Sequence, residues 1–507
     1  MRFDRVNSWP ATRVVALTGT GVVLLTITCF SPRFWLWPAA GAPLGDIVAL
    51  QPEFHRAFHA LRQLADPWQR IDDPVNRVIE WRLFWPVIGH YLALPPAWYL
   101  ALPHIGCLAT VFATAGLVWR STRDLLPTVA LTVLAATSSW FFVSTGWLAY
   151  HDSWLILAIL LACFGRHGAT LLLAALVAPW IDERFLLSLP LCLAVRALGA
   201  DRPSPPTRGE LLKAAGLLLA GIAPYAAVRL GCELSGFRAT SSRYWGDRPL
   251  LPAPIWVMGW GLWNGLRLGW VLLACSVLLA PRDRLRRISA AFVLLAVWVS
   301  LCVADDLSRS ASVALPAVIA GGLVLWRDSP DRARRLLPWL GAGNLLLPAQ
   351  HIIAAPGTTA LWHSVPVLSV TAELERVGNP PDFANPDTYN RRSIDHLQNG
   401  HPDRALAANE IALRFAPRHA KSIANRGILF FLSGRRDEGL RELDRALGLS
   451  PALYDARLQR ASFRQQMGNL VGALEDARQA LRDMPPDWPR RQGAEQFERA
   501  LASQIGR

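Results

Sequence analysis

The sequence predicts an all-α chain: a polytopic helical membrane domain of about 11 spans, followed by an α-solenoid. Two observations carry this expectation. Before about residue 355, apolar runs of membrane-span length alternate with short loops that are Arg-rich or bear Asp. Beyond it the chain turns polar and repeats itself with a period of 34 residues. The implied organisation is a membrane domain over 1–355 with a long outer loop at 31–95, a linker at 356–385, three repeats at 386–488 and a capping helix at 489–507.

Composition bounds the possibilities. The 507 residues are 52% hydrophobic with a mean hydropathy of +0.24, an average in which the polar tail dilutes an apolar body. The formal charge is +14 and the pI about 10.2. In a soluble protein this excess would point to nucleic acid. Here much of it sits in short loops between apolar runs, the positive-inside pattern, so no nucleic-acid partner is expected. Nearly all of the positive charge is Arg, with Lys only at Lys213 and Lys421. The seven cysteines lie mostly in or beside apolar runs and none is in the tail. Without a C-x-x-C pair they support neither a metal centre nor a disulfide framework.

A span needs about 20 apolar residues. The first candidate, Val14 to about Phe30, follows Arg2, Arg5 and Arg13 and reads as an uncleaved anchor, the competing reading being a signal peptide cut near Ala39–Ala42. Further candidates are 96–119, 126–147, 153–165, 168–180, 185–199, 211–231, 255–280, 288–304, 310–326 and 336–353. Loops bearing Arg120, Arg166, Arg196, Lys213 and Arg327 fall after every second run, on the side of the N-terminus; that side is expected to be cytoplasmic. The opposite loops carry Asp46, Asp72, Asp73, Asp152, Asp182, Glu183 and Asp306. An odd count would put the tail in the periplasm of a bacterial inner membrane. In the outer loop, Phe54–Leu61 and Val78–Pro86 mix aromatic, basic and aliphatic residues at helical spacing, which suits helices lying in the interface plane.

In the tail, Gly400, Gly434 and Gly468 align at the 34-residue shift, as do Ala412, Ala446 and Ala480, and Pro417, Pro451 and Pro485. This resembles the tetratricopeptide repeat (TPR) family, in which small residues sit where two antiparallel helices touch. The resemblance implies a concave groove for a protein or peptide partner. Arg392, Arg426 and Arg460 align where Leu is usual, which suggests a basic groove.

No nucleotide loop, H-E-x-x-H or other soluble-enzyme motif is present. What remains are ionisable groups at membrane depth, which are expensive and mark sites more often than other positions do. Trp180-Ile181-Asp182-Glu183-Arg184-Phe185 squeezes two acids and an arginine between two apolar runs; a tight hairpin neutralised by Arg184 is the structural alternative. Tyr150-His151-Asp152 faces the same side. Arg229 and Arg267 offer guanidinium forks suited to a lipid phosphate, with snorkelling as the alternative.

The long outer loop with Asp46, its interfacial helices through Arg82 and His90, and the many following spans together resemble the GT-C class of membrane glycosyltransferases. The resemblance implies transfer of a sugar from a polyprenyl-phosphate donor to an extracytoplasmic acceptor. Members of that class do not always need a metal, and with no ligand cage in the sequence no metal or other cofactor is expected. Asp46 would be the general base, Asp182 and Glu183 further catalytic acids, and Arg82, His90, Asp152, Arg184, Arg229 and Arg267 substrate-binding. A non-enzymatic envelope scaffold and a transporter of a lipid-linked substrate are the competing readings.

Overall fold

The computed structural model describes residues 9–30, 52–71, 76–202, 204–235, 254–278, 284–303, 306–353, 361–365 and 386–506. They fall into two compact units, the larger including Arg56–Leu374 and the smaller Glu375–Arg507.

The larger unit is helical with one short hairpin of strands. Its helices are α1 Ala11–Cys29, α2 Pro52–Ala65, α3 Phe84–Tyr91, α4 Pro96–Thr122, α5 Leu125–Ala136, α6 Ser139–Gly146, α7 Asp152–Phe164, α8 Gly168–Ile181, α9 Arg184–Leu187 and α10 Leu189–Leu198. They continue with α11 Arg208–Leu234, α12 Ile255–Leu266, α13 Gly269–Leu278, α14 Arg284–Val303, α15 Leu307–Ala311, α16 Leu315–Asp328 and α17 Pro330–Leu346. Strands β1 Ala349–Ile353 and β2 Leu361–Val365 pair antiparallel, His351 opposite His363.

The expected count of about 11 spans is corrected. Among the described residues four helical segments are long and apolar enough to cross a membrane: Ala11–Cys29, Trp98–Thr122, Arg208–Leu234 and Leu307–Asp328. A fifth follows if α5 and α6, bent by 53°, form one span. The physical reason is length. Helices α7, α8 and α10 have 13, 14 and 10 residues, well short of the roughly 20 that cross a bilayer core. The run at 255–280 is broken at Arg267, whose backbone is left-handed (φ 48°), into helices of 12 and 10 residues. The run at 336–353 stops being helical at Leu346 and turns into β1. An apolar run gives a hydropathy signal whether it faces lipid or other helices, and here much of it faces other helices. Leu307–Asp328 is buried inside the protein along its whole apolar window.

Small residues set the closest helix contacts. Gly261 and Gly265, four apart on one face of α12, lie against α15; a Cβ on Gly265 would sit 2.5 Å from the Ala311 Cβ. Such spacing lets backbones approach without side chains between them. Gly221 of α11 meets Ala175 of α8 in the same way, at 2.5 Å.

The smaller unit comprises α18 Pro386–Gln398, α19 Pro402–Phe415, α20 Ala420–Leu432, α21 Arg436–Leu449, α22 Tyr454–Gln466, α23 Leu470–Asp483 and α24 Arg491–Ile505. Gly400, Gly434 and Gly468 (φ 75°, 87° and 79°) make the left-handed turns between successive helices. Phe431 and Phe463 stack with centroids 3.7 Å apart in its core. Two of the three arginines behind the expected basic groove are neutralised: Arg426 pairs with Glu442 (2.8 Å) and Glu410 (3.4 Å), and Arg460 with Asp476 (2.5 Å) and Asp444 (2.6 Å), while Arg392 has His396 beside it. The α-solenoid of three tetratricopeptide repeats is likewise withdrawn. Small residues and turn glycines at a regular spacing specify antiparallel helix pairs, and that geometry is not particular to one family.

The contact between α12 and α15 makes a prediction. Gly265→Leu should lower stability by about 1–3 kcal/mol through overpacking. Gly259→Leu, with open space around its Cβ position, should leave it nearly unchanged. Thermal unfolding of both variants in detergent reads the difference, and equal melting temperatures would remove Gly265 from the packing argument.

Candidate functional site

Helices α7 and α8 form an antiparallel pair joined by three residues, so the start of α7 and the end of α8 lie at the same end. This brings Asp152 beside Asp182. At the end of α8 the chain turns sharply: the Arg184 backbone N–H donates to Asp182 Oδ1 at 3.0 Å, an Asx-type turn. The turn folds the Arg184 side chain back over both acids. Its Nε donates to Asp182 Oδ1 at 2.9 Å, and its Nη2 donates to Asp182 Oδ2 at 2.8 Å and to Asp152 Oδ1 at 2.5 Å.

A second arginine closes the cluster from the opposite side. Arg309, on α15, donates through Nε to Asp152 Oδ1 at 2.6 Å, through Nη2 to Asp182 Oδ2 at 3.3 Å, and through Nη1 to Asp306 Oδ2. Asp152 and Asp182 are each 2% exposed and Arg309 3%. Tyr150 lines the same region, with the guanidinium carbons of Arg56 and Arg309 3.8 and 4.8 Å from its ring centroid. Ala149 before it has φ 61°, a left-handed conformation that costs about 1–2 kcal/mol for a residue with a Cβ. Behind Arg309, Ser308 Oγ lies 3.0 Å from His351 Nδ1 and accepts the Ile352 N–H at 3.1 Å, which ties β1 to α15.

The cluster has an accessible rim. Arg82 follows the 3-10 turn Asn76–Trp81 and pairs with Asp182 at 2.9 Å and with Glu183 at 3.5 Å. The Glu183 side chain keeps 32% of its exposure, against 3% for Asp182. Arg229, near the end of α11, lies over the Trp81 ring at 4.3 Å.

These environments separate the acids. Burial by itself would raise the Asp182 carboxyl, yet the guanidinium groups of Arg184 and Arg82 hold it well below the usual carboxylate range. Asp306 is likewise depressed, burial being outweighed by Arg309, His351 and Arg56. Glu183 goes the other way: burial raises it, and Arg82 offsets only part of the effect. His151, between Trp85 and Tyr99, is pushed by burial down to about 3 and is neutral.

Some polar capacity in the cluster is unfilled. Asp152 Oδ2, Arg184 Nη1, and Nε and Nη1 of Arg56 are buried with no hydrogen-bond partner among the described residues. Buried polar atoms are rarely left so.

Of the residues singled out from sequence, Asp152, Asp182, Glu183, Arg184 and Arg82 come together here. Arg229 stands at the rim through Trp81. His90 is exposed, its Nδ1 3.0 Å from the Leu64 carbonyl. Arg267 is fully buried, and its guanidinium donates to the carbonyls of Leu347 (2.7 Å) and Thr137, with Phe30 5.2 Å away. Its fork is spent on backbone, none of it in the carboxylate cluster. Asp46, Asp72 and Asp73 lie outside the described residues. Sequence reasoning passed over Arg309; it named Tyr150 only as a neighbour of Asp152, and Arg56 only within the interfacial segment Phe54–Leu61. The available signal for Arg309 was Asp306-x-x-Arg309 at the mouth of an apolar run.

No family model matches the chain, and no curated protein matches it either. The resemblance to GT-C glycosyltransferases is therefore withdrawn along with the tetratricopeptide assignment. It rested on the many spans, and the span count fell.

Two expectations follow from the cluster. Arg184→Met leaves two buried aspartates short of a partner and should cost about 3–5 kcal/mol of stability. Asp182 and Asp306 have folded values below their unfolded value of about 3.9. Their contribution is therefore full above that pH and is lost as pH falls through the depressed folded values. Melting temperatures in detergent between pH 3 and 7 should stay level down to about pH 4 and drop below it; Asp306→Asn should flatten the drop, and an unchanged acid limb would exclude this linkage.

Proposed function

We propose that the chain is a membrane protein that takes a phosphate-linked lipid substrate and transfers the group carried on its phosphate to an acceptor hydroxyl. A polyprenyl-phosphate sugar is the donor chemistry that suits it. The observation behind the reading is the pairing of one part-exposed, less acidic carboxylate, Glu183, with the guanidinium of Arg82 above a buried charge network, with Arg229 nearby over the Trp81 ring.

Asp152 and Asp182 are poor bases because Arg309 and Arg184 neutralise them; they orient those arginines. Glu183 is the better base, since a base is most effective when its pKa approaches the working pH. Its carboxylate takes the proton of the acceptor hydroxyl as that oxygen bonds to the anomeric carbon. The carbon–oxygen bond to phosphate breaks, and the electron pair leaves with the phosphate oxygen. Arg82 and Arg229 face the charge that develops there, and a guanidinium fork matches phosphate oxygens.

The long apolar helices are consistent with membrane association. By the positive-inside rule the end bearing Arg120, Arg166, Arg196, Arg202 and Lys213 is cytoplasmic, and the Glu183 end extracytoplasmic.

The test is transfer from a panel of radiolabelled polyprenyl-phosphate sugars by the purified full-length protein. Glu183→Gln should reduce turnover by about 10²–10⁴-fold, as loss of a general base does, with melting behaviour unchanged. Turnover with no donor, or full turnover in Glu183→Gln, would defeat the proposal.

A further inference from the structure

At the other end of the α7–α8 pair lies a cavity of about 200 Å³. Pockets that engulf drug-sized ligands run about 300–1,000 Å³, so this one suits a single headgroup. Four cationic side chains line it, Arg166, Arg196, Arg202 and Lys213, against two carboxylates, Asp201 and Glu210.

The roles of these groups differ. Arg196 is structural: it donates to the carbonyls of Ala162 (2.9 Å), Cys163 (3.2 Å) and Gly165 (3.0 Å), which end α7. Arg166 is tied to the chain by one hydrogen bond, its Nη2 donating to the Asp201 carbonyl at 3.2 Å, and Arg166 and Arg120 stand 3.9 and 3.7 Å from Asp201 Oδ2. Arg202 and Lys213 are held more loosely: Arg202 stands 3.5 Å from Glu210, and Lys213 has no ion pair among the described residues. These two donors can turn to an incoming anion without a close pair being broken first.

The surroundings identify the anion's carrier. Lys213 is on the first turns of α11, one of the segments long and apolar enough to cross a membrane. Beside it Leu212 is 74% exposed, and Leu219 on α11 and Leu173 on α8 are 60% and 59% exposed. Apolar side chains standing out next to a basic pocket suit acyl chains next to a phosphate. Basic pockets between membrane helices on the cytoplasmic side take anionic headgroups for this reason.

We infer that this cavity binds the phosphate headgroup of an anionic phospholipid, with its acyl chains lying along the exposed leucines of α8 and α11. The site is separate from the Glu183 end and does not depend on the function proposed for it.

Native mass spectrometry of the full-length protein released from nanodiscs tests this. Wild type should retain phosphatidylglycerol in preference to phosphatidylcholine. Arg202→Gln/Lys213→Gln should weaken retention by about thirty-fold, from roughly a fivefold loss for each basic group removed. The charge-preserving Arg202→Lys/Lys213→Arg should retain the lipid, which separates lost charge from lost folding. Equal retention of both lipids, or equal retention by wild type and the Gln variant, would overturn the inference. So would displacement of the lipid by millimolar inorganic phosphate, which would make this a soluble-phosphate site.

Discussion

Asp152 and Asp182 are buried only because Arg184 and Arg309 are buried with them, and much of the larger unit is arranged around that requirement. An isolated carboxylate moved into a low-dielectric interior loses several kcal/mol of hydration, and attraction between the charges returns it only when the geometry is close. The network meets that condition by drawing on separate parts of the chain: the start of α7, the turn after α8, and α15. Three elements distant in sequence are thereby fixed to one another at a single end of the helices. A network of this kind is a poor way to gain stability, since well-packed apolar side chains often do as well. Its persistence in so apolar a setting fits a role in presenting the rim above it.

The frame behind the network is rigid for a different reason. Gly261 and Gly265 let α12 come against α15, so the helix that carries Arg309 has little freedom to withdraw. One step along, Arg267 breaks α12 from α13 and uses its guanidinium to satisfy carbonyls at the ends of α5 and α17. Helix ends leave carbonyls without partners, and a buried end must find donors elsewhere. Arg267 is thus a scaffold residue, while the more accessible Arg82 keeps a side chain 16% exposed at the rim.

The site was partly legible in the sequence. Asp182-Glu183-Arg184 stood out because charges between two apolar runs with almost no loop have few cheap explanations. Arg309 did not, because its partner Asp152 is 157 residues away and a single chain gives no sign of such a pairing. The span count failed for a related reason: hydropathy registers how apolar a stretch is, and cannot register the kink after α5, the left-handed backbone of Arg267, or whether a leucine meets lipid or another helix. The turn glycines of the smaller unit mark helix boundaries through their positive φ, but columns of small residues alone do not assign a family.

The brevity of α7 and α8 has a consequence for the surrounding bilayer. Fourteen residues of helix rise about 21 Å, whereas an ordinary hydrocarbon core is about 30 Å thick. Yet α8 turns leucines outward over that short height. Lipids against this face would meet a hydrophobic belt several ångströms too narrow, and hydrophobic mismatch is relieved by thinning or by crowding with other proteins. The α8 face would therefore be a side on which the local membrane thins, and where short-chain lipids or a neighbouring protein are favoured over the bulk.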